Sequence, residues 1–321
     1  GFILHSRHQY HWHTGYEPPL TVAAPHIGAW IAHARGRSHP ALPAFIDIGQ
    51  TPNGESEEIK AFQTGGCLGA EYGPFSIDDP ANAVKAVRPP AGMSPVRFKA
   101  RYQNYLRLLK ASPDFQKGDS RKREALMKSM DEAFTLLSSP AAKAFDLSLE
   151  PGKNSVPYGK GKFGRGCLLA RRLVENGVRF VQLYDWGWDH HGSSPGESID
   201  ETLPIKCQQI DRAIAGLITD LKQRGMFEET LIVWGGEFGR TPMMQNNVNS
   251  VLKKGFYGRD HHPHAFTMWM AGAGIKPGVY GQTDDIGYYI AENPVGIRDL
   301  QATILHQIGL NPHRFSFPYQ G

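Results

Sequence analysis

Residues 178–184, Val-Arg-Phe-Val-Gln-Leu-Tyr, follow Gly177 and run straight into Asp185-Trp186-Gly187-Trp188-Asp189-His190-His191-Gly192. A short β-branched and aromatic run closed by a glycine-flanked turn reads as a buried strand with a defined end. The turn holds two carboxylates and two imidazoles. In an open α/β sheet, ligands bind just beyond the carboxyl ends of the strands, so donors gathered there form a candidate site. Two further packets have the same logic. Asp260-His261-His262-Pro263-His264 precedes a strand-like run at 266–271, and Gly235-Gly236-Glu237-Phe238-Gly239-Arg240-Thr241 follows one at 231–234.

The rest of the chain supplies a scaffold of α/β type. Its 321 residues, 40% hydrophobic and 21% charged, allow one large α/β domain or two smaller ones. The formal charge of +4 gives no reason to expect a nucleic-acid partner. No run of 18 apolar residues occurs, so no membrane span is expected. Cys67, Cys167 and Cys207 have no C-x-x-C spacing, which leaves a disulfide through Cys67 open. The chain opens on Gly1-Phe2 without a signal sequence, and a processed or partial chain is the expectation.

Helices are expected at 94–111, opened by the Ser94-Pro95 pair, and at 120–137, with Leu126, Met130, Phe134 and Leu137 on one face. The segment 94–150 therefore reads as a helical insertion. Its basic residues, Arg97 to Lys128, point either to a solvated face or, as a weaker reading, to an anionic polymer. Further helices are expected at 164–176, ended by Gly177, at 201–224, ended by Gly225, and from 294 to 308. The order strand, helix, strand across 178–234 predicts a right-handed crossover with parallel neighbours.

Asp189 and His191, two apart in one turn, can face the same side. Asp260, His261, His262 and His264 can add an imidazole from a separate loop. Aspartate with two histidines from two loops suits zinc or manganese, and calcium is the third candidate cation. Glu237 completes such a set or serves a second metal, and Arg240 is placed to stabilise oxyanion charge. Asp185 and His190 complete the pocket. The competing reading has histidines capping turns and Glu237 paired internally with Arg240. Seven of the 14 histidines lie between His5 and His39, either as a histidine-lined wall of the site or as a polar, partly buried segment.

The runs 177–184 with Trp188-Asp189-His190-His191-Gly192, then 231–242 through Glu237 and Arg240, then Gly258-Arg259-Asp260-His261-His262-Pro263 resemble a large bacterial family. That family is known as a sulfatase-like domain of unknown function of the alkaline phosphatase superfamily. The likeness runs from about residue 26 to the end of the chain, including 300–306.

The resemblance implies a single domain over 1–321: an alkaline-phosphatase-like three-layer α/β sandwich with a central, mostly parallel sheet and an inserted helical segment. It implies a metal held by Asp189, His191 and His261 or His262, with Glu237 and Arg240 in the same pocket. It further implies a metal-dependent hydrolase of phosphate or sulfate esters, on a small-molecule or polysaccharide substrate, exported to the periplasm or beyond. The alternative is a non-catalytic binding or structural protein on the same scaffold. Glu237-Phe238 stands where the superfamily has an adjacent Asp-His pair, which counts against a second metal. The sulfatase signature C-x-P-x-R is missing, Cys167-Leu168-Leu169-Ala170-Arg171 coming nearest. The nucleophile is unassigned; Ser6 and Thr14 are the early hydroxyls that could serve.

Overall fold

A computed structural model describes residues 4–18, 22–49, 64–245 and 256–319. In chain order the main elements are α1 (His5–Thr14), α2 (Ile27–Arg35), β1 (Phe45–Ile48), β2 (Phe75–Ile77), α3 (Pro95–Ala111) and α4 (Ser120–Ser138). They continue with α5 (Lys162–Glu175), β3 (Phe180–Leu183), α6 (Thr202–Gln223), β4 (Ile232–Trp234), β5 (Gly239–Arg240), β6 (His261–His262), β7 (Trp269–Ala271), β8 (Gln282–Thr283), β9 (Ile290–Glu292) and α7 (Ile297–Gln307).

Three strands form a parallel sheet in the order β2-β1-β3, with Phe45 opposite Phe180 and Ile48 opposite Leu183. β1, paired on both edges, is buried throughout, as expected for a strand with helices on both faces. One face meets α2, where Gly28 lies so close to the Phe45 and Phe180 rings that a Cβ would sit 2.9 and 2.7 Å from them. The other face meets α5, whose Gly166 presses against Leu183. Leu169 and Leu173 of α5 are fully buried with Leu42, Ile46, Ile48, Phe145 and Val178. Truncating either leucine to Ala removes packing worth about 2–5 kcal/mol.

β4 follows a different course from the expected crossover. Among the described residues it pairs antiparallel with β7, not with β3. Its Val233 and the Met270 of β7 join Phe180 of β3 under Ile27 and Ile31 of α2 and Ile304 of α7. The two sheets thus share one helical layer, although only the first is parallel. The strands are also shorter than their apolar runs, because ladder pairing ends before the apolar pattern does.

The helix boundaries agree closely with their punctuation. Ser94 caps α3 by accepting from the Arg97 N–H, and Gly177 beyond α5 takes φ 94°, a conformation that glycine reaches without a Cβ penalty. α3 and α4 join through Tyr102 stacked on Phe134, yet α3 has no fully buried residue. All three cysteines are free, and no helix among the described residues is long and apolar enough to cross a membrane.

Behind the sheet lies a closed charge network. Arg171, 1% exposed, reaches Glu150 at 2.7 Å, Glu175 at 2.7 Å and Asp220 at 2.9 Å. Arg224 contacts the same three carboxylates, and Arg172 adds a second contact to Glu150.

Candidate metal centre

The site assembles where the loops after β3 and β4 meet the N-terminus of α1. Gly192 (φ 78°) and Gly258 bring two loops into backbone contact: a Cβ on Gly258 would lie 1.9 Å from the His191 carbonyl carbon. The Arg259 N–H donates to the His190 carbonyl at 2.9 Å and locks the approach. β5 and β6 then pair with Arg240 opposite His261 and Gly239 opposite His262. Facing residues share a side of a ladder and neighbours alternate, so Arg240 and His261 turn inward together while His262 turns away. α1 is tied down from its other end, where Arg298 donates to the Gly15 carbonyl and Gln301 to that of Trp12. That anchorage delivers His5, whose ring meets His261 edge-on at 4.4 Å.

One atom organises the centre. Oδ1 of Asp189 lies 2.5 Å from Arg240 Nη2, 2.8 Å from His191 Nε2, 3.1 Å from His261 Nε2 and 3.2 Å from His5 Nε2. The Nε2 atoms of His191 and His261 are themselves 3.1 Å apart. Behind the rings, His5 Nδ1 lies 2.5 Å from Glu237 Oε1 and His191 Nδ1 lies 2.7 Å from Gln245 Oε1.

These donors fit a divalent cation. His5, Asp189 and His261 each offer one ligand atom, all within 4.8 Å of one another. Tetrahedral zinc, with bonds of about 2.0–2.1 Å, places its ligand atoms roughly 3.3 Å apart, close to the separations here. His5 Nε2 is buried, and its one polar neighbour is the crowded Asp189 Oδ1 at 3.2 Å, a loose ion pair rather than a full hydrogen bond. A buried ring nitrogen beside a crowded carboxylate is the atom a metal would satisfy. Imidazole and carboxylate together match zinc and manganese better than calcium, which prefers an all-oxygen shell.

The electrostatics follow from this crowding. Burial alone would raise the Asp189 carboxyl, but His191, His261, His5 and Arg240 outweigh it and hold the group far below the carboxylate range. Burial also opposes protonation of His5, yet Asp189 and Glu237 lift that ring to about 9. Asp189 raises His191 against the opposing effect of burial. Glu237 would be raised by burial and is nevertheless lowered by its bond to His5. Burial pushes His8 and His13 down to about 4, so the inner side of α1 is a neutral imidazole wall.

Of the residues the sequence put forward, Asp189, His191, His261 and Arg240 meet at one carboxylate oxygen, and Glu237 adjoins them through His5. His262 is buried and directs Nε2 to the Tyr288 carbonyl at 2.6 Å, outside the cluster. His264 packs beside His262. Asp185 pairs with Lys206 and accepts from Trp188 Nε1, both at 2.8 Å. His190 is buried with Nδ1 on the Trp188 carbonyl, and Asp260 accepts from the His261 N–H. Thr14 is buried and donates to the Tyr10 carbonyl at 2.7 Å, which removes it as a nucleophile. Ser6 follows His5 on α1, roughly 100° further round the helix. His5 belongs to the site as one residue of the histidine-lined wall that the sequence offered, and Gln245 belongs to it without having been singled out. His5, His8 and His11 recur every third residue, a spacing that puts them near one helix face, whereas nothing in the sequence marks Gln245.

The chain belongs to a family described as protein of unknown function (DUF1501), whose model matches residues 2–321. No curated protein and no solved structure matches it.

Proposed function

We propose that this protein is a metal-dependent hydrolase of phosphate or sulfate esters, with Asp189, His191, His261 and His5 as the metal ligands. The observation that carries the reading is the crowding of four nitrogens around one carboxylate oxygen. A carboxylate oxygen has about two lone pairs, so it cannot accept four N–H bonds at once. Two or more of those nitrogens need another partner, and a cation is one that all the rings can share.

A zinc-type cation there would supply Lewis-acid polarisation of an ester oxygen and a bound water acidified towards neutral pH. The residues of the chain do the remainder. Asp189 is half-exposed, so an ester can approach from solvent. Arg240 directs its guanidinium at the same point, and its remaining N–H groups suit the equatorial oxygens of a phosphoryl or sulfuryl group. Phe238, buried beside His5 and His261, keeps water from the back of the rings.

A second reading rests on Arg240. At 2.5 Å from Asp189 it can close the cluster as an ion pair and leave a binding or structural protein that takes no metal. One experiment separates the two. Elemental analysis after dialysis without chelator should find near-stoichiometric zinc or manganese, lost in Asp189→Ala with the circular dichroism spectrum unchanged. The loaded protein should hydrolyse p-nitrophenyl phosphate or sulfate. A wild type that holds no metal and takes none up on titration sinks the hydrolase and leaves the ion-pair reading.

A further inference from the structure

Two of the imidazoles around Asp189 are gripped from behind. Glu237 Oε1 sits 2.5 Å from His5 Nδ1, and Gln245 Oε1 sits 2.7 Å from His191 Nδ1. In both rings the nitrogen facing Asp189 is Nε2, so the two grips act on the same side of the ring chemistry. A neutral imidazole carries one proton, and the hydrogen bond made by one nitrogen decides what the other can do. An acceptor behind Nδ1 keeps the proton there, so Nε2 is the nitrogen that offers its lone pair once a cation displaces any proton it holds.

We infer that Glu237 and Gln245 are positioning residues that fix His5 and His191 as Nδ1–H tautomers and aim both Nε2 lone pairs at one divalent cation beside Asp189. Glu237 then has neither a catalytic role nor a place in a second metal site. Its Oε1 is spent on His5, and the residue after it is Phe238, which donates no ligand. Gln245 enters from the loop after β5, well outside the strand-end packets, and gives His191 the same support with a neutral oxygen. The assignment calls for one metal, with an outer layer of one charged and one neutral acceptor. This assignment rests on the metal reading above.

The arrangement also has an opposite: Gln245 turned to donate its amide N–H, which would put the His191 proton on Nε2. The variants tell the two apart. Zinc affinity is measured on the full chain by competition with a chromophoric chelator, and the cobalt-substituted protein is followed by its visible absorption. Glu237→Leu and Gln245→Leu should each weaken zinc by about 10–100-fold, the usual effect of removing such a partner. Glu237→Gln and Gln245→Glu retain an acceptor, so they should stay near wild type in affinity and leave the cobalt bands in place, as a merely structural contact would not require.

Leucine variants that bind zinc as tightly as wild type would overturn the inference. So would a Gln245→Glu variant as weak as Gln245→Leu, since a carboxylate cannot donate. Should Glu237→Leu lose its fold, the Gln245 pair carries the test alone. Wild type that binds no zinc removes the metal reading itself, whereas binding wild type with indifferent leucine variants removes only this assignment.

Discussion

Two polar clusters stand apart in the fold, one among the helices behind the parallel sheet and one at the strand ends, and they are built from overlapping residue types to different ends. Behind the sheet, Arg171, Arg172 and Arg224 face Glu150, Glu175 and Asp220, three cations against three carboxylates. Arg171 and Glu150 are almost wholly buried, and every charge has an opposite partner at contact distance. At the strand ends, Asp189 and Glu237 face one arginine and three imidazoles, and Asp189 is open to solvent. The first cluster is electrically complete. The second is balanced only through protons held by its imidazoles, His5 above all, and a cation can take the place of those protons. A network of fixed charges holds elements together; an accessible one balanced by exchangeable protons is where a ligand has something to add.

The contrast can be broken, most forcefully from the buried side. Arg171→Ala removes the buried cation that the three carboxylates share, leaving Arg172 and Arg224 alone to face them, and should destabilise the protein by about 3–5 kcal/mol in urea denaturation. Asp189→Ala, measured without metal, should change stability by no more than about 1 kcal/mol, as half-exposed ion pairs do. Comparable losses from the two would erase the distinction between structural and ligand-ready clusters.

The next largest effect belongs to the open cluster. His261→Ala should reduce zinc affinity by about 100-fold or more, read by chelator competition, because in the proposed site it removes a direct ligand rather than an outer partner. The folded midpoint without metal should hardly move.

Acid should reach the buried network through Glu150. Burial would raise this carboxyl, but bonds from Asn154, Arg171 and Arg172 outweigh that effect and hold it at about 2, against an ordinary value of 4.5. A folded-state pKa below the unfolded one gives stability that is complete above pH 4.5 and is lost as pH falls towards 2. Urea midpoints between pH 7 and 3 should therefore decline, and Glu150→Gln, though less stable throughout, should decline less steeply.

The smallest expected effect sharpens the register argument. His262→Gln should leave zinc affinity at wild-type level, since that ring points to Tyr288 and away from Asp189. A loss equal to that of His261→Ala would mean that the β5–β6 pairing is out of step by one residue.

Much of the scaffold was legible because it rests on local rules. The Ser94-Pro95 start, the Gly177 stop and the apolar face of α5 each depend on residues within a turn or two of one another. Asp189 and His191 were legible for the same reason: a strand that ends in a donor-rich turn announces its site. The direction of β4 was not, since antiparallel pairing with β7 depends on partners 35 to 39 residues away. The choice of His261 over His262 was beyond reach as well, because adjacent residues on a strand are chemically alike and only the ladder sets which one faces inward.

The donor side chains and the loops that carry them could be picked out from the chain alone, because donor chemistry and strand-end placement are properties of short segments. Tertiary structure decided the rest: that α1, anchored by Arg298 and Gln301, carries His5 to a loop 184 residues away, and that Gln245 backs His191. It also decided that Arg240 meets Asp189 rather than Glu237. Those outcomes depend on distances across the fold, and no pattern along the chain encodes a distance that only packing creates.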